Sequence, residues 1–318
     1  MAEGTYPADP ARAALRLFGR WLGTHYARST AFVAPESNGG VLVAPVTVGR
    51  RWEISVTVLN TLEAEASVEF ESTRSAVESR LDRAGRSLAV WVPRGAPLPS
   101  GEPAVDQFVR AVDAATALAD DRFEIRRKVR LFLRRTSTTG SVITVLGGLS
   151  AHWAKFTNRV PGSFQLNSSA LCRLPESQQE RDALAERIVL AAGQPTIDET
   201  GVIEAEDAWT ASDLGEGGSC VIGSPRPDTD EQSAALRRNL RSLLHAQKES
   251  PQAEAAARAL VVLGAATYAA DEKLSWALRG MDPALYAGYD IIAVVTDGVV
   301  KPLLEPPRQT LPWDAPPG

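Results

Sequence analysis

Ten consecutive residues, Arg126-Arg127-Lys128-Val129-Arg130-Leu131-Phe132-Leu133-Arg134-Arg135, hold six basic side chains and no acidic one, with apolar groups at alternate positions. A period of two is the signature of a β-strand, because successive Cβ atoms point to opposite sides of the pleated backbone. As a strand, this stretch turns Val129, Leu131 and Leu133 toward a core and Lys128, Arg130 and Arg134 away from it. The chain therefore needs a sheet, and that sheet carries a basic stripe suited to phosphate groups. Arg126, Arg135, Lys155 and Arg159 belong to the same cationic surface on this reading.

A second use for these cations is to neutralise the chain's own acids. Residues 174–232 hold 14 Asp and Glu against 3 Lys and Arg. The asymmetry extends to the whole chain: residues 1–173 carry 22 basic against 16 acidic side chains, and residues 174–318 carry 12 against 23. Opposite signs on the two halves suggest two units, one able to attract nucleic acid and one that repels it.

At 318 residues, 44% hydrophobic and 23% charged, the chain can bury a core large enough to need no staples. Its two cysteines, Cys172 and Cys220, lack metal or redox spacing, which fits a reducing compartment. Residues 1–10 include Glu3 and Asp9 and have no apolar run of the signal-peptide kind, and no uncharged apolar run reaches the roughly 18 residues of a membrane span. A cytoplasmic location with no membrane partner is expected. Lysine is confined to five positions while arginine is abundant, a bias of GC-rich bacterial genomes.

Apolar spacing predicts an amphipathic helix over residues 10–27, strands over 41–48 and 52–58, and a third alternating strand over 62–71. A helix ending at Gly85 and a buried strand over 87–92 complete an α-β-β-β-α-β order. Beyond it come a helix over 104–119, the basic strand, and a return strand over 141–146 paired with it as a hairpin. Helices follow over 176–192, 229–246 and 253–270, the first two separated by an acidic, Gly/Ser-rich connection over 193–227. Thr296-Asp297-Gly298 between two β-branched runs signals a terminal hairpin, since Asp-Gly supplies the positive φ values of a tight turn. The expected class is α+β: an N-terminal α-β-β-β-α-β sheet unit, then a β-hairpin and a mainly helical C-terminal half. The expected divisions are an α/β sheet domain over 1–125, a mixed hairpin and helical domain over 126–305, and a flexible proline-rich tail over 306–318.

Other groups of residues have chemistry to weigh. Glu63, Glu65, Glu69 and Glu71 would share one face of the third strand, and clustered carboxylates can hold a divalent metal that activates water. The element order resembles that of restriction-endonuclease-like folds over the first ninety or so residues. That resemblance implies an acid on the second strand and an acid-x-lysine pair on the third. Here Glu53 or Asn60 and Glu69-Phe70-Glu71 occupy those places, with glutamate where the lysine belongs, and Arg74 is the nearest substitute cation. Gly147-Gly148 ahead of Ser150 could be an anion-binding turn or a simple hairpin exit. Trp153, Phe156, Asn158, Arg159, Phe164, Gln165, Asn167 and Ser168 crowd a short stretch, either to contact a base or to form a minicore under a connection. His25, His152 and His245 show no metal spacing, and no serine-hydrolase elbow is present.

The leading expectation is a non-catalytic nucleic-acid- or partner-binding subunit of a bacterial intracellular complex. It would act through Arg126, Lys128, Arg130, Arg134, Arg135, Lys155 and Arg159 with no cofactor or metal. The alternative is a metal-dependent nuclease with a degenerate restriction-endonuclease-like core, using Glu53, Glu69 and Glu71 with Mg or Mn.

Overall fold

The computed structural model describes residues 9–32, 36–38, 41–49, 52–60, 68–93, 96–116, 121–149, 155–194, 200–223, 240–246, 255–263, 277–306 and 311. The class is α+β with two mixed sheets, and the chain separates into two compact units, Met1–Arg94 with Ala211–Gly318, and Gly95–Thr210. The expected boundary at 125/126 falls within a strand, Arg122–Ser137.

In the discontinuous unit the chain opens with α1 (Pro10–His25), which Asp9 caps by accepting from the Arg12 N–H at 2.9 Å while Pro10 fills the first turn. Strands β1 (Thr30–Phe32), β2 (Glu36–Asn38), β3 (Val41–Val48) and β4 (Trp52–Asn60) follow. Next come α2 (Val68–Arg83) and β5 (Leu88–Trp91). The unit resumes after the other one with β10 (Cys220–Ile222), β11 (Ala257–Leu263), β12 (Ile291–Thr296) and β13 (Val299–Leu304). Its large sheet runs β1-β3-β4-β11-β12-β13, with β2 on β3 and with β4, β11 and β12 mutually parallel. Parallel strands are covered on both faces and so read as unbroken apolar runs. Accordingly Phe18 and Leu22 of α1 join Val56, Val261 and Ile291 on one side, while Leu240, Leu244 and Met281 join Leu260, Val262 and Val294 on the other.

The continuous unit contains α3 (Glu102–Thr116), β6 (Arg122–Ser137), β7 (Ser141–Gly147), β8 (Gly162–Ser168), α4 (Gln178–Ala192) and β9 (Thr200–Asp213) up to Thr210. Its strands lie in the order β9-β6-β8-β7. Leu184 and Ile188 of α4, with Phe156 and Val160, pack against Leu131, Leu133, Ile143, Phe164 and Leu166.

Several expectations need correction. Residues 62–67 lie outside the described residues, and Val68–Arg83 is helical, so Glu69 and Glu71 stand on α2 and not on a third strand. The strong helix propensity of Ala and Glu outweighed the alternation. β7 is no hairpin partner of β6: β8 inserts between them, antiparallel to β6 and parallel to β7. Among the described residues, the second half is not mainly helical. The helix expected over 253–270 contains β11, and the connection over 193–227 contains β9 and β10. Of the tail, Leu311 is buried with the α1 core, and residues 307–310 and 312–318 lie outside the described residues. The terminal hairpin forms as expected, with Asp297 at φ 55° and Gly298 at φ 75°. No helix among the described residues is long and apolar enough to cross a membrane.

Candidate functional site

The basic stripe is built by β6 as its alternation predicts. Leu131 and Leu133 are fully buried, whereas Lys128, Arg130, Phe132 and Arg134 are exposed on the opposite side. At ~3.3 Å per residue the four span about 20 Å. The register then adds the neighbouring strands. Phe132 pairs with Asn167 and Arg134 with Gln165 on β8, and these in turn pair with Leu146 and Thr144 on β7. Two rows of exposed side chains cross the sheet: Phe132, Asn167 and Leu146, then Arg134, Gln165 and Thr144.

The cations divide into two groups. Arg126 reaches Glu124 at 2.5 Å and Glu180 at 2.8 Å, Lys155 pairs with Asp182, and Arg159 grips Glu186 at 2.7 Å. Glu180, Asp182 and Glu186 all belong to α4, so this helix neutralises one flank of the expected cationic surface. Among the described residues, no carboxylate lies within ion-pair distance of Lys128, Arg130 or Arg134. Lys128 borders a cleft with Glu180, Glu204 and Glu206, which tempers the potential at its end. Arg135 turns to the core side, where its guanidinium lies 5.3 Å from the Phe164 ring centre. Arg130 and Arg134 are thus the cations most available to an outside anion.

Arg127 serves the unit's interior. Its guanidinium sits 4.0 Å from the Trp209 ring centre and 3.8 Å from Asp207. Asp207, 1% exposed, accepts the backbone N–H groups of Cys172 and Arg173 at 2.9 and 2.7 Å and the Trp209 indole N–H at 2.7 Å. Burial raises the Asp207 carboxyl above its ordinary value and lowers the Arg127 guanidinium, so desolvation outweighs their attraction. Glu124 and Glu176 enclose Arg173 at 3.6 and 2.9 Å. This network ties residues 172–176 to β6 and β9.

The aromatic and amide segment splits by parity. Phe156 and Phe164 enter the core, Gln165 and Asn167 face outward beside the cations, and Trp153 lies outside the described residues. Asn167 Oδ1 accepts both the N–H and the hydroxyl of Ser169, which leaves its NH2 group as the outward donor. Among the described residues, the N–H groups of the Gly147-Gly148 turn that follow Gly147 are taken up internally: Gly148 donates to the Ser168 carbonyl at 3.4 Å and Leu149 to the Ser168 hydroxyl at 3.2 Å. A Cβ on Gly148 would lie 1.6 Å from the Leu171 oxygen, so close chain approach demands glycine. Sequence reasoning passed over Phe132, although its even position in the run already placed it with Lys128, Arg130 and Arg134.

Of the acidic candidates, Glu71 is engaged by a neighbour on its own helix. Arg74 binds Glu71 at 2.7 Å. On α2, Glu78 accepts the Val221 N–H at 2.8 Å and Asp82 accepts the Ser219 N–H at 2.6 Å, so two carboxylates one turn apart cover the edge of β10. Edge N–H groups left bare invite pairing with another chain. Burial raises the Glu78 carboxyl. Glu53 is exposed on β4, and the Glu69 side chain lies outside the described residues. Among the described residues, no three His, Cys, Asp or Glu gather as a metal would require. Burial, then the Asp207 charge, pushes the Cys172 thiol up to about 11, and burial raises Cys220 further, so neither is a poised nucleophile.

No family model matches the chain, and neither the curated proteins nor the solved structures compared with it include a match.

Proposed function

We propose that the chain is a non-catalytic nucleic-acid-binding subunit of a bacterial intracellular assembly, binding through the solvent face of β6, β8 and β7. The observation that carries this reading is the contrast along one strand. Arg126 is held by Glu180, whereas Arg130 and Arg134 are exposed with no carboxylate at ion-pair distance. Unpaired arginines in a row attract phosphates by releasing condensed counterions, a contribution that depends steeply on salt. The polar amides beside them suit hydrogen bonding to sugars or bases.

Fluorescence anisotropy of labelled RNA and DNA over a salt series tests the reading. Affinity should fall as salt rises and should drop on joint replacement of Arg130 and Arg134. Binding that is absent at low salt, or indifferent to both arginines, rejects it. Incubation with Mg²⁺ or Mn²⁺ should leave the nucleic acid intact. Cleavage abolished by Glu69→Ala would establish the metal-dependent nuclease instead.

A further inference from the structure

We infer that the ligand is a single strand, with an unstacked base lying on Phe132 and its edge met by the amides of Asn167 and Gln165; this rests on the nucleic-acid reading above. Only two phenylalanines among the described residues are exposed, Phe32 at 37% and Phe132 at 44%. The exposure of Phe32 has a structural account. Its ring covers Gly19 of α1, where a Cβ would come within 2.2 Å of the ring carbon. Phe132 is instead 44% exposed along the basic strand itself. It stands on the open side of the sheet, two residues from Arg130 and two from Arg134, opposite Asn167. Among the described residues it has no ring partner.

The groups around Phe132 match the parts of one nucleotide. A phenyl face offers stacking to any base, and guanidinium groups on either side along the strand offer contacts to the flanking phosphates. Asn167 presents donors, because Ser169 occupies its oxygen, while Gln165 presents both a donor and an acceptor. Leu146, 47% exposed, ends the same cross-strand row and continues the apolar floor past Asn167. A duplex would bring phosphates to the arginines, but its bases are stacked inward and cannot lie on an exposed ring. A single strand can splay a base out. The shared chemistry admits RNA or DNA as the source of that strand.

Anisotropy with four labelled ligands of equal length, single-stranded RNA, single-stranded DNA and the duplex of each, tests this in the full chain. Both single strands, or RNA alone if the 2′-hydroxyl is contacted, should bind at least tenfold more tightly than the duplexes. Phe132→Ala should weaken single-strand binding roughly tenfold, within the range of one base stack. Its salt dependence should remain unchanged, and Phe132→Trp should restore affinity. Circular dichroism checks folding, which a change at an exposed ring should spare. If duplexes bind as well as single strands, and Phe132→Ala changes nothing while loss of Arg130 and Arg134 does, the single-strand inference falls and the broader function stands. If no ligand binds at low salt, both fall.

Discussion

Arg126 donates to the Glu180 carboxylate at 2.8 Å, joining the basic strand to the first turn of α4. Asp182 and Glu186 on the same helix take Lys155 and Arg159 in the same way. A patch that looks continuous in the sequence is therefore divided by one acidic helix. The flank beside α4 is neutralised, and Arg130 and Arg134 further along β6 are not. The acids of the second half and the cations of the first are thus partners in part.

Releasing a neutralised cation should strengthen binding. Glu180→Gln removes one of the two charges on Arg126, while the closer and more buried Glu124 still holds it at 2.5 Å. Affinity for a single-stranded oligonucleotide should rise about twofold to fivefold, the scale of one partly screened charge. Titration at constant ionic strength checks this, and an unchanged or lowered affinity would show that Arg126 lies outside the ligand's reach.

Asp207 is the structural keystone of the continuous unit. Asp207→Ala strands two backbone N–H groups, an indole N–H and the half-buried Arg127. The expected cost is about 3–5 kcal/mol. Asp207→Asn should cost less, because its carbonyl oxygen can still accept. Urea unfolding measures both; a loss below about 1 kcal/mol for alanine would mean that water satisfies those donors.

Acid should weaken the same unit through Glu176. Its hydrogen bond and attraction to Arg122, with help from Arg173, hold its carboxyl at about 2 against the ordinary 4.5. A lowered folded value means the ionised form favours folding. That stabilisation is complete above the unfolded value and drains as pH falls from about 4.5 toward 2. Asp207 and Glu78, raised by burial, act in the opposite direction. Comparing urea midpoints at pH 5 and pH 3, Glu176→Gln should lose less on acidification than the unaltered protein. Equal losses would contradict the assignment.

Glycine is required at position 148 for space and at position 49 for conformation alone. Gly49 has φ +65° with nothing within 4 Å of a built Cβ, so alanine there should cost about 1 kcal/mol. Gly148→Ala drives a methyl into the Leu171 carbonyl and should cost several kcal/mol, since backbone on both sides must shift. Thermal unfolding of the two variants separates the cases, and similar melting temperatures would refute the close approach.

Long, strongly patterned elements were legible in the sequence. α1, β3, β4, α4 and the Asp297-Gly298 hairpin follow from spacing, caps and turn chemistry. So does the outward direction of Lys128, Arg130 and Arg134. β11 was not, because an alanine-rich apolar run buried on both faces has no period to separate strand from helix. β8 carries a clean alternation of Phe164 and Leu166 with Gln165 and Asn167, but its brevity among polar residues concealed it. Strand order was beyond local pattern altogether. Only the insertion of β8 between β6 and β7 brings the amides beside the arginines, and only tertiary contact with α4 shows which cations are spent.

The most direct measurement compares two double variants for salt-dependent binding of a labelled single-stranded oligonucleotide. Arg130→Ala with Arg134→Ala should weaken binding at least tenfold and reduce the log–log salt slope by about 1.4, the value of two phosphate contacts on a single strand. Arg126→Ala with Arg159→Ala, which removes cations already paired with α4, should stay within about threefold of the unaltered protein. Equal losses from the two pairs, or a greater loss from the second, would contradict the division of the ridge.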